Sequence, residues 1–216
     1  MSFLDLPAPH GLLEALYWKA EDAHAAAVVC HPHPQHGGTM HNHVTYRLAQ
    51  ALREAKVSAL RFNFRGVGRS TGVYDHGEGE LADAGTALDY LAANEPEVPL
   101  WAAGFSFGAR VALRLAAQDA RVEKVLATGL AVDLYDFEFL TQLHKPKAIV
   151  HAEHDEYGGL AKVEALVKRL PGPTKLFVVP DCDHLATGRL DAFLEVARKA
   201  VDWLQVDPAD LVVPES

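Results

Sequence analysis

Cysteine is scarce in this sequence, and its scarcity narrows the class of protein. Only Cys30 and Cys182 occur among 216 residues. Two cysteines cannot build a disulfide framework, and such low usage fits a reducing compartment. We therefore expect a cytoplasmic protein.

Positive charge and long apolar runs are also scarce. The formal net charge is −9 and no basic run occurs, which disfavours nucleic acid and anionic membrane surfaces as partners and favours a small molecule. The N-terminal segment MSFLDLPAPHGLLEAL carries Asp5, Glu14 and two prolines where a signal peptide needs a basic start and an uninterrupted apolar run. We expect no signal peptide and no membrane span. The sequence does not choose between a monomer and a homodimer.

Internal repeats, low-complexity tracts and Ser/Gly linkers are absent, so we predict a single domain over residues 1–216 with a loose tail from about residue 207. Short apolar runs alternate with stretches of helical periodicity, which is typical of βαβ units around a parallel sheet. The predicted strands are 25–30, 57–64, 98–104, 122–129, 147–153 and 175–180, and residues 11–18 add one or two strands at an antiparallel edge. The predicted helices are 43–55, 79–93, 107–118, 160–170 and 190–204.

A G-x-S-x-G motif centred on Ser106 stands between a predicted strand and a predicted helix, which is the setting that a nucleophile elbow requires. So sharp a turn strains the serine, and side chains at Gly104 or Gly108 would collide with neighbouring backbone. We predict that Ser106 is the nucleophile and that the N–H of Phe107 faces a developing oxyanion.

A serine needs a base, and the base needs an acid. His184 follows the predicted strand 175–180, and Asp155 follows the strand 147–153, so both lie at the sheet edge where active sites of parallel sheets collect. The alternatives are an exposed loop histidine for His184 and a helix N-cap for Asp155. The reserve acids are Glu156 and Asp133.

Asp181 and Asp183 are too close to His184 in the chain to be the first choice of acid. We expect them to shape the loop through hydrogen bonds to its backbone.

This order of parts resembles the α/β-hydrolase superfamily over residues 11–204. The resemblance is carried by GFSFG at 104–108, by the order Ser106, Asp155, His184, and by the turn RFNFRGVGRS at 61–70. The chain looks most like small hydrolases without a cap domain that are related to dienelactone hydrolases and carboxylesterases. The resemblance implies an α/β-hydrolase fold, a three-layer sandwich with a mostly parallel sheet of about seven or eight strands, helices on both faces and no sizeable cap.

The loop CHPHPQHGGTMHNH, residues 30–43, contains five histidines. In the family this loop gives a second oxyanion donor within an H-G-x-P pattern. Pro32 and Pro34 have no N–H, so the resemblance implies that the N–H of His33 is that donor.

These histidines do not predict a metal site, because prolines interrupt the H-x-H pairs and no H-E-x-x-H or C-x-x-C arrangement follows. We expect most of them to line the pocket or lie on the surface. His41 and His43 are candidates to assist at the helix start.

Three further features have a structural alternative. Arg65 or Arg69 could bind a substrate carboxylate, although a structural role is favoured. Cys182 is not on an elbow, so we expect a buried thiol and not a nucleophile. Residues 129–145 are too short for a lid domain, and their aromatic side chains either line an acyl pocket or pack against the sheet.

The sequence thus predicts a serine hydrolase that cleaves small carboxylic esters or thioesters through an acyl-enzyme, without a cofactor and without a metal. Dienelactone hydrolases carry cysteine at the position of Ser106, which argues against their particular substrate. Peptidase, lactonase, thioesterase and cofactor-free haloperoxidase activities use the same triad and stay open. A non-catalytic ligand-binding hydrolase fold and a metal-binding histidine module are alternatives of other classes.

Overall fold

The computed structural model describes residues 2–206, so the tail predicted from about residue 207 lies outside the described residues. Eight strands form one sheet: β1 (Ser2–Ala8), β2 (Gly11–Trp18), β3 (Ala25–Cys30), β4 (Val57–Phe62), β5 (Leu100–Phe105), β6 (Val122–Thr128), β7 (Lys147–Ala152) and β8 (Thr174–Val179). Their spatial order is β1-β2-β4-β3-β5-β6-β7-β8. β2 runs antiparallel to both of its neighbours, β1 and β4, and the pairs from β4 through β8 are parallel.

Helices cover both faces of the sheet. They are α1 (His43–Glu54), α2 (Glu78–Asn94), α3 (Phe107–Gln118), α4 (Leu160–Val167) and α5 (Leu190–Gln205). α1 and α5 pack on one face and α2, α3 and α4 on the other, because side chains alternate along each strand. In β3, Ala26 and Val28 pack in the core under α2, α3 and α4, whereas Ala27 and Val29 pack in the core under α1 and α5. The three-layer architecture expected from the sequence is confirmed.

Most predicted elements agree with the structure to within two or three residues at each end. The strand predicted at 57–64 ends at Phe62, and the helix predicted at 160–170 ends at Val167. The strand β1 is not predicted by the sequence pattern. Only Leu6 of its seven residues is buried, so it shows no apolar alternation, and Pro7 is tolerated because the strand lies at the edge.

Residues 129–145, all of them described, contain a 3₁₀ turn at Glu138–Gln142 and no separate domain. The expectation of a fold without a cap is therefore confirmed. Within residues 2–206, no helix is both long and apolar enough to cross a bilayer.

Candidate active site

The elbow after β5 holds Ser106 in a strained backbone conformation, with φ of 57° and ψ of −118°. A Cβ atom at Gly104 would lie 2.2 Å from the carbonyl oxygen of Gly108, and one at Gly108 would lie 2.4 Å from the carbonyl oxygen of Cys30. Both glycines are therefore required by close backbone contacts, as the motif indicates.

The structure brings together the three residues that the sequence singles out. The Nε2 atom of His184 lies 2.9 Å from the Oγ atom of Ser106, and its Nδ1 atom lies 2.7 Å from Oδ2 of Asp155. Asp155 and His184 follow β7 and β8, so the parallel strands deliver both side chains to one edge of the sheet. Both residues are buried, which excludes the alternative of an exposed loop histidine.

The carboxylate of Asp155 is fixed by its own turn. Its Oδ1 atom accepts hydrogen bonds from the N–H groups of Tyr157 and Gly158, at 2.9 and 3.1 Å, which leaves Oδ2 for the imidazole. The residue before α4 is Gly159, and no side chain caps that helix. The alternative role of Asp155 as a helix N-cap is therefore wrong.

The reserve acids do not reach the imidazole ring. Glu156 accepts a hydrogen bond from the backbone N–H of His184 at 3.2 Å, so it positions the loop and not the ring. Asp133 is paired with Lys162.

Asp183 shapes the loop that carries His184 through a hydrogen bond to its backbone, as expected, whereas the carboxylate of Asp181 pairs with a side chain. Asp183 accepts a hydrogen bond from the N–H of Thr187 at 2.8 Å, and Asp181 forms an ion pair with Arg189 at 3.0 Å.

Two aromatic rings hold the imidazole of His184 in place. Its ring centroid lies 4.9 Å from that of Phe105 and 4.8 Å from that of Tyr157. Sequence reasoning misses both contacts. The one available signal is that both residues are near neighbours of predicted site residues, since Phe105 precedes Ser106 and Tyr157 follows Asp155 by two positions.

The two predicted oxyanion donors flank the elbow. Phe107 is the first residue of α3, and His33 precedes a 3₁₀ turn at Pro34–His36. Neither N–H donates a hydrogen bond within residues 2–206, so both are available to a ligand. The rings of His33 and Phe107 lie 5.0 Å apart, and His33 lines the same cavity as Ser106.

His31 is the exception among the five loop histidines, because it neither lines the cavity nor lies on the surface. It is fully buried, and its Nε2 atom accepts a hydrogen bond from the N–H of Phe64 at 3.0 Å. Burial lowers the pKa of His31 to about 4, so the ring is neutral at physiological pH and carries its proton on Nδ1. That Nδ1 donates to the carbonyl oxygen of Pro32 at 2.6 Å.

This hydrogen bond acts on the peptide group that contains the expected oxyanion donor. The carbonyl of Pro32 and the N–H of His33 belong to the same planar peptide, so holding one fixes the direction of the other. Gly38 packs closely against the same peptide, because a Cβ atom there would lie 2.0 Å from the carbonyl oxygen of Pro32.

The other loop histidines have ordinary surroundings. His33 and His36 line the cavity, whereas His41 and His43 are exposed. Asn42, and neither histidine, caps α1 by accepting hydrogen bonds from the N–H groups of residues 44 and 45. The expectation that His41 and His43 assist at the helix start is therefore wrong.

No group of three metal-ligating side chains converges in this loop, all of which is described. Such a group does occur elsewhere, at Glu153, His154 and Asp181, where all three residues are exposed.

The cavity above Ser106 has a volume of about 430 Å³. It is lined by Pro32, His33, His36, Gly37, Gly38, Asn42, Phe105, Ser106, Leu134, Tyr135, Tyr157, His184 and Leu185. This lining contains no Asp, Glu, Lys or Arg. Three of its members, Leu134, Tyr157 and Leu185, are large apolar or aromatic residues that are 42–60% exposed, and they form an apolar rim.

Some side chains of the segment 129–145 line the cavity and others pack in the core, so both roles considered for this segment occur. Leu134 and Tyr135 line the cavity, whereas Phe137 and Leu140 are buried in the core.

The remaining candidates have structural roles. Arg65 forms a bidentate ion pair with the buried Asp83, and Arg69 pairs with Asp5 and Glu14, so neither arginine lines the cavity. Burial raises the pKa of the Cys182 thiol to about 11, which makes it a poor nucleophile at neutral pH.

A mostly parallel sheet with a serine elbow between β5 and α3 defines an α/β hydrolase. The model of the family Hydrolase_4, described as Serine aminopeptidase, S33, matches residues 23–136, and the chain belongs to this family.

Several known proteins are similar to this chain. An uncharacterized protein of Rickettsia prowazekii (strain Madrid E) is 40% identical over 167 residues, which cover 75% of this chain and 70% of the relative. A serine hydrolase without a lid from Xanthomonas campestris is 32% identical, with a TM-score of 0.87 over 96% of both chains. An α/β serine hydrolase homologue from Coxiella burnetii is 33% identical, with a TM-score of 0.85 over 92% of this chain and 96% of that one.

Proposed function

We propose that this protein is a serine hydrolase that cleaves small carboxylic esters or thioesters. Ser106 attacks the carbonyl carbon while His184 takes the proton of the hydroxyl, and Asp155 holds the imidazole in the required tautomer. The N–H groups of Phe107 and His33 stabilise the oxyanion, at about 3–4 kcal/mol per donor in related chemistry. His184 then protonates the leaving group, and water hydrolyses the acyl-enzyme by the same route, without a cofactor.

The observation that supports this proposal most directly is the pair of hydrogen bonds that connects Oγ of Ser106 through His184 to the carboxylate of Asp155. Its two distances of 2.9 and 2.7 Å are within hydrogen-bonding range without any rearrangement. A fold retained only for ligand binding has no need of a strained serine in contact with a buried histidine and carboxylate.

The cavity supports a neutral, partly apolar substrate. Its lining contains no Asp, Glu, Lys or Arg, and its rim is apolar. A volume of about 430 Å³ suits an ester with a short or medium acyl group.

The same lining argues against aminopeptidase activity, which the description of the family suggests. A carboxylate is the strongest partner that a side chain offers to the ammonium group of a peptide, and none lines this cavity.

The decisive experiment compares turnover of p-nitrophenyl esters with two to twelve acyl carbons, one p-nitrothiophenyl ester and one aminoacyl p-nitroanilide, all in the presence of a chelator. We expect turnover of the shorter esters by the wild type and its loss in Ser106→Ala. Cys182→Ala is the matched control, and we expect it to retain activity because its thiol has no role in the reaction.

Turnover that survives Ser106→Ala would refute the mechanism. Cleavage of the anilide in preference to every ester would replace the proposed substrate class with a peptide, and an enzyme inactivated by the chelator would point to a metal.

A further inference from the structure

A second cavity lies between the antiparallel edge of the sheet and α1. Its volume is about 400 Å³, and it is lined by Phe3, Leu16, Trp18, His41, Tyr46, Arg53 and Arg61. It shares no lining residue with the cavity above Ser106. We refer to it as the edge groove.

Arg61 in this groove is a buried cation with no carboxylate within 4 Å among residues 2–206. Its residue exposure is 3%, and its Nη1 atom donates to the carbonyl oxygen of Met40 at 2.8 Å. Its Nε atom is buried and has no hydrogen-bond partner among the described residues. Burying a charge without an opposite charge is strongly unfavourable.

Most other arginines of the described chain have a carboxylate within 4 Å. These are Arg47, Arg65, Arg69, Arg114, Arg121, Arg169, Arg189 and Arg198. Among residues 2–206 the exceptions are Arg53, Arg61 and Arg110, and the first two line the same groove. In a chain of net charge −9, two arginines that have no carboxylate within 4 Å among the described residues thus line one cavity.

Aromatic rings complete the groove. The guanidinium carbon of Arg53 lies 4.4 Å from the ring centroid of Trp18, and that of Arg61 lies 5.2 Å from the ring centroid of Tyr46. The Trp18 and Tyr46 rings are 6.0 Å apart, and Phe3 is 66% exposed beside them. Flat apolar surfaces next to guanidinium groups match a planar apolar body that carries a carboxylate.

We infer that the edge groove binds a small aromatic carboxylate. The carboxylate lies between Arg53 and Arg61, and the ring of the ligand packs against the aromatic side chains. This site does not depend on the reaction proposed for Ser106.

The test is a calorimetric titration of the full-length protein with benzoate, with benzamide as a neutral analogue and inorganic phosphate as a compact anion. We expect saturable binding of benzoate, and at least about tenfold weaker binding of benzamide and of phosphate. Arg61→Gln and Arg53→Gln should each weaken benzoate binding by about tenfold or more, since each removes a charge-assisted hydrogen bond. If Arg61→Gln does not fold, Arg53→Gln still decides the test, because Arg53 is exposed.

Arg47→Gln is the matched control, because it removes one charge from the same helix outside the groove. It should leave the affinity within twofold of the wild type. Benzoate should also change the fluorescence of Trp18, and Trp18→Phe should abolish that change. Equal affinity of the wild type and Arg53→Gln, no benzoate binding, or binding of benzamide or phosphate as tight as that of benzoate would overturn the inference.

Discussion

Replacing His31 by leucine tests whether its ring positions the oxyanion donor. Leucine fills a similar volume but offers no hydrogen bond, so the buried N–H of Phe64 and the carbonyl of Pro32 both lose their partner. A buried polar group left unpaired costs about 1–3 kcal/mol, so we expect the free energy of unfolding to fall by about 2–4 kcal/mol. Urea denaturation followed by fluorescence measures this loss.

The effect on activity has an upper limit set by the donor itself. Complete loss of one oxyanion donor lowers kcat by about 10²–10³ in related enzymes. Because the Pro32–His33 peptide is loosened and not removed, we expect kcat on p-nitrophenyl acetate to fall about 10- to 100-fold, with KM within a few-fold of the wild type.

His31→Gln is the matched variant, because its amide can both donate and accept. It should recover part of kcat. An unchanged kcat in His31→Leu, in a variant that has lost stability, would show that the ring only packs and would refute the positioning role.

Three further predictions concern the acid, the buried lysine and the pH dependence of folding. Asp155→Asn should lower kcat in ester assays by about 10⁴-fold, as in other Ser-His-Asp enzymes, while circular dichroism stays unchanged. A loss of kcat below tenfold would contradict the role of Asp155 as the acid that orients His184. Lys147→Met should lower the free energy of unfolding, measured by urea denaturation, by about 2–4 kcal/mol. The reason is that the fully buried ammonium donates to the carbonyl oxygens of Leu143, Lys145 and Pro171, which the variant leaves unpaired. An unchanged free energy of unfolding would contradict this. Burial lowers the pKa of His31 from 6.5 to about 4, so the unfolded chain binds the proton first as the pH falls. The contribution of neutral His31 to the free energy of unfolding is therefore full above pH 6.5 and declines by roughly 3 kcal/mol towards pH 4. His31→Gln should therefore show a flatter dependence in that window, and parallel curves would be the contrary result.

The residues that the sequence predicts correctly are those whose position depends on local chain geometry. The elbow at Ser106 follows from steric demands within five residues, namely the contacts of Gly104 and Gly108. Asp155 and His184 are found because parallel strands end at one edge of the sheet, so residues distant in the chain are brought together by topology alone.

The residues that the sequence misses depend on tertiary contacts. His31 looks like one of five similar histidines, and its role depends on the N–H of Phe64, which is 33 positions away. Arg61 lies in an apolar strand pattern that predicts β4 well, but no pattern shows that its buried Nε atom lacks a hydrogen-bond partner among the described residues.

The aromatic residues of 129–145 illustrate the same limit. Composition predicts that they are apolar contacts but not which ones face the cavity, because that depends on how the 3₁₀ turn packs against α3.

The measurement that tests the central claim most directly is covalent labelling of the full-length protein with a fluorophosphonate, followed by peptide mass spectrometry. An activated serine gives up its proton to the base, its oxygen attacks phosphorus and displaces fluoride, and the phosphonyl group remains as a stable adduct. We predict one adduct per chain on Ser106, formed much more slowly in Asp155→Asn. Absence of an adduct, or an adduct on a residue other than Ser106, would contradict the assignment of Ser106 as the nucleophile.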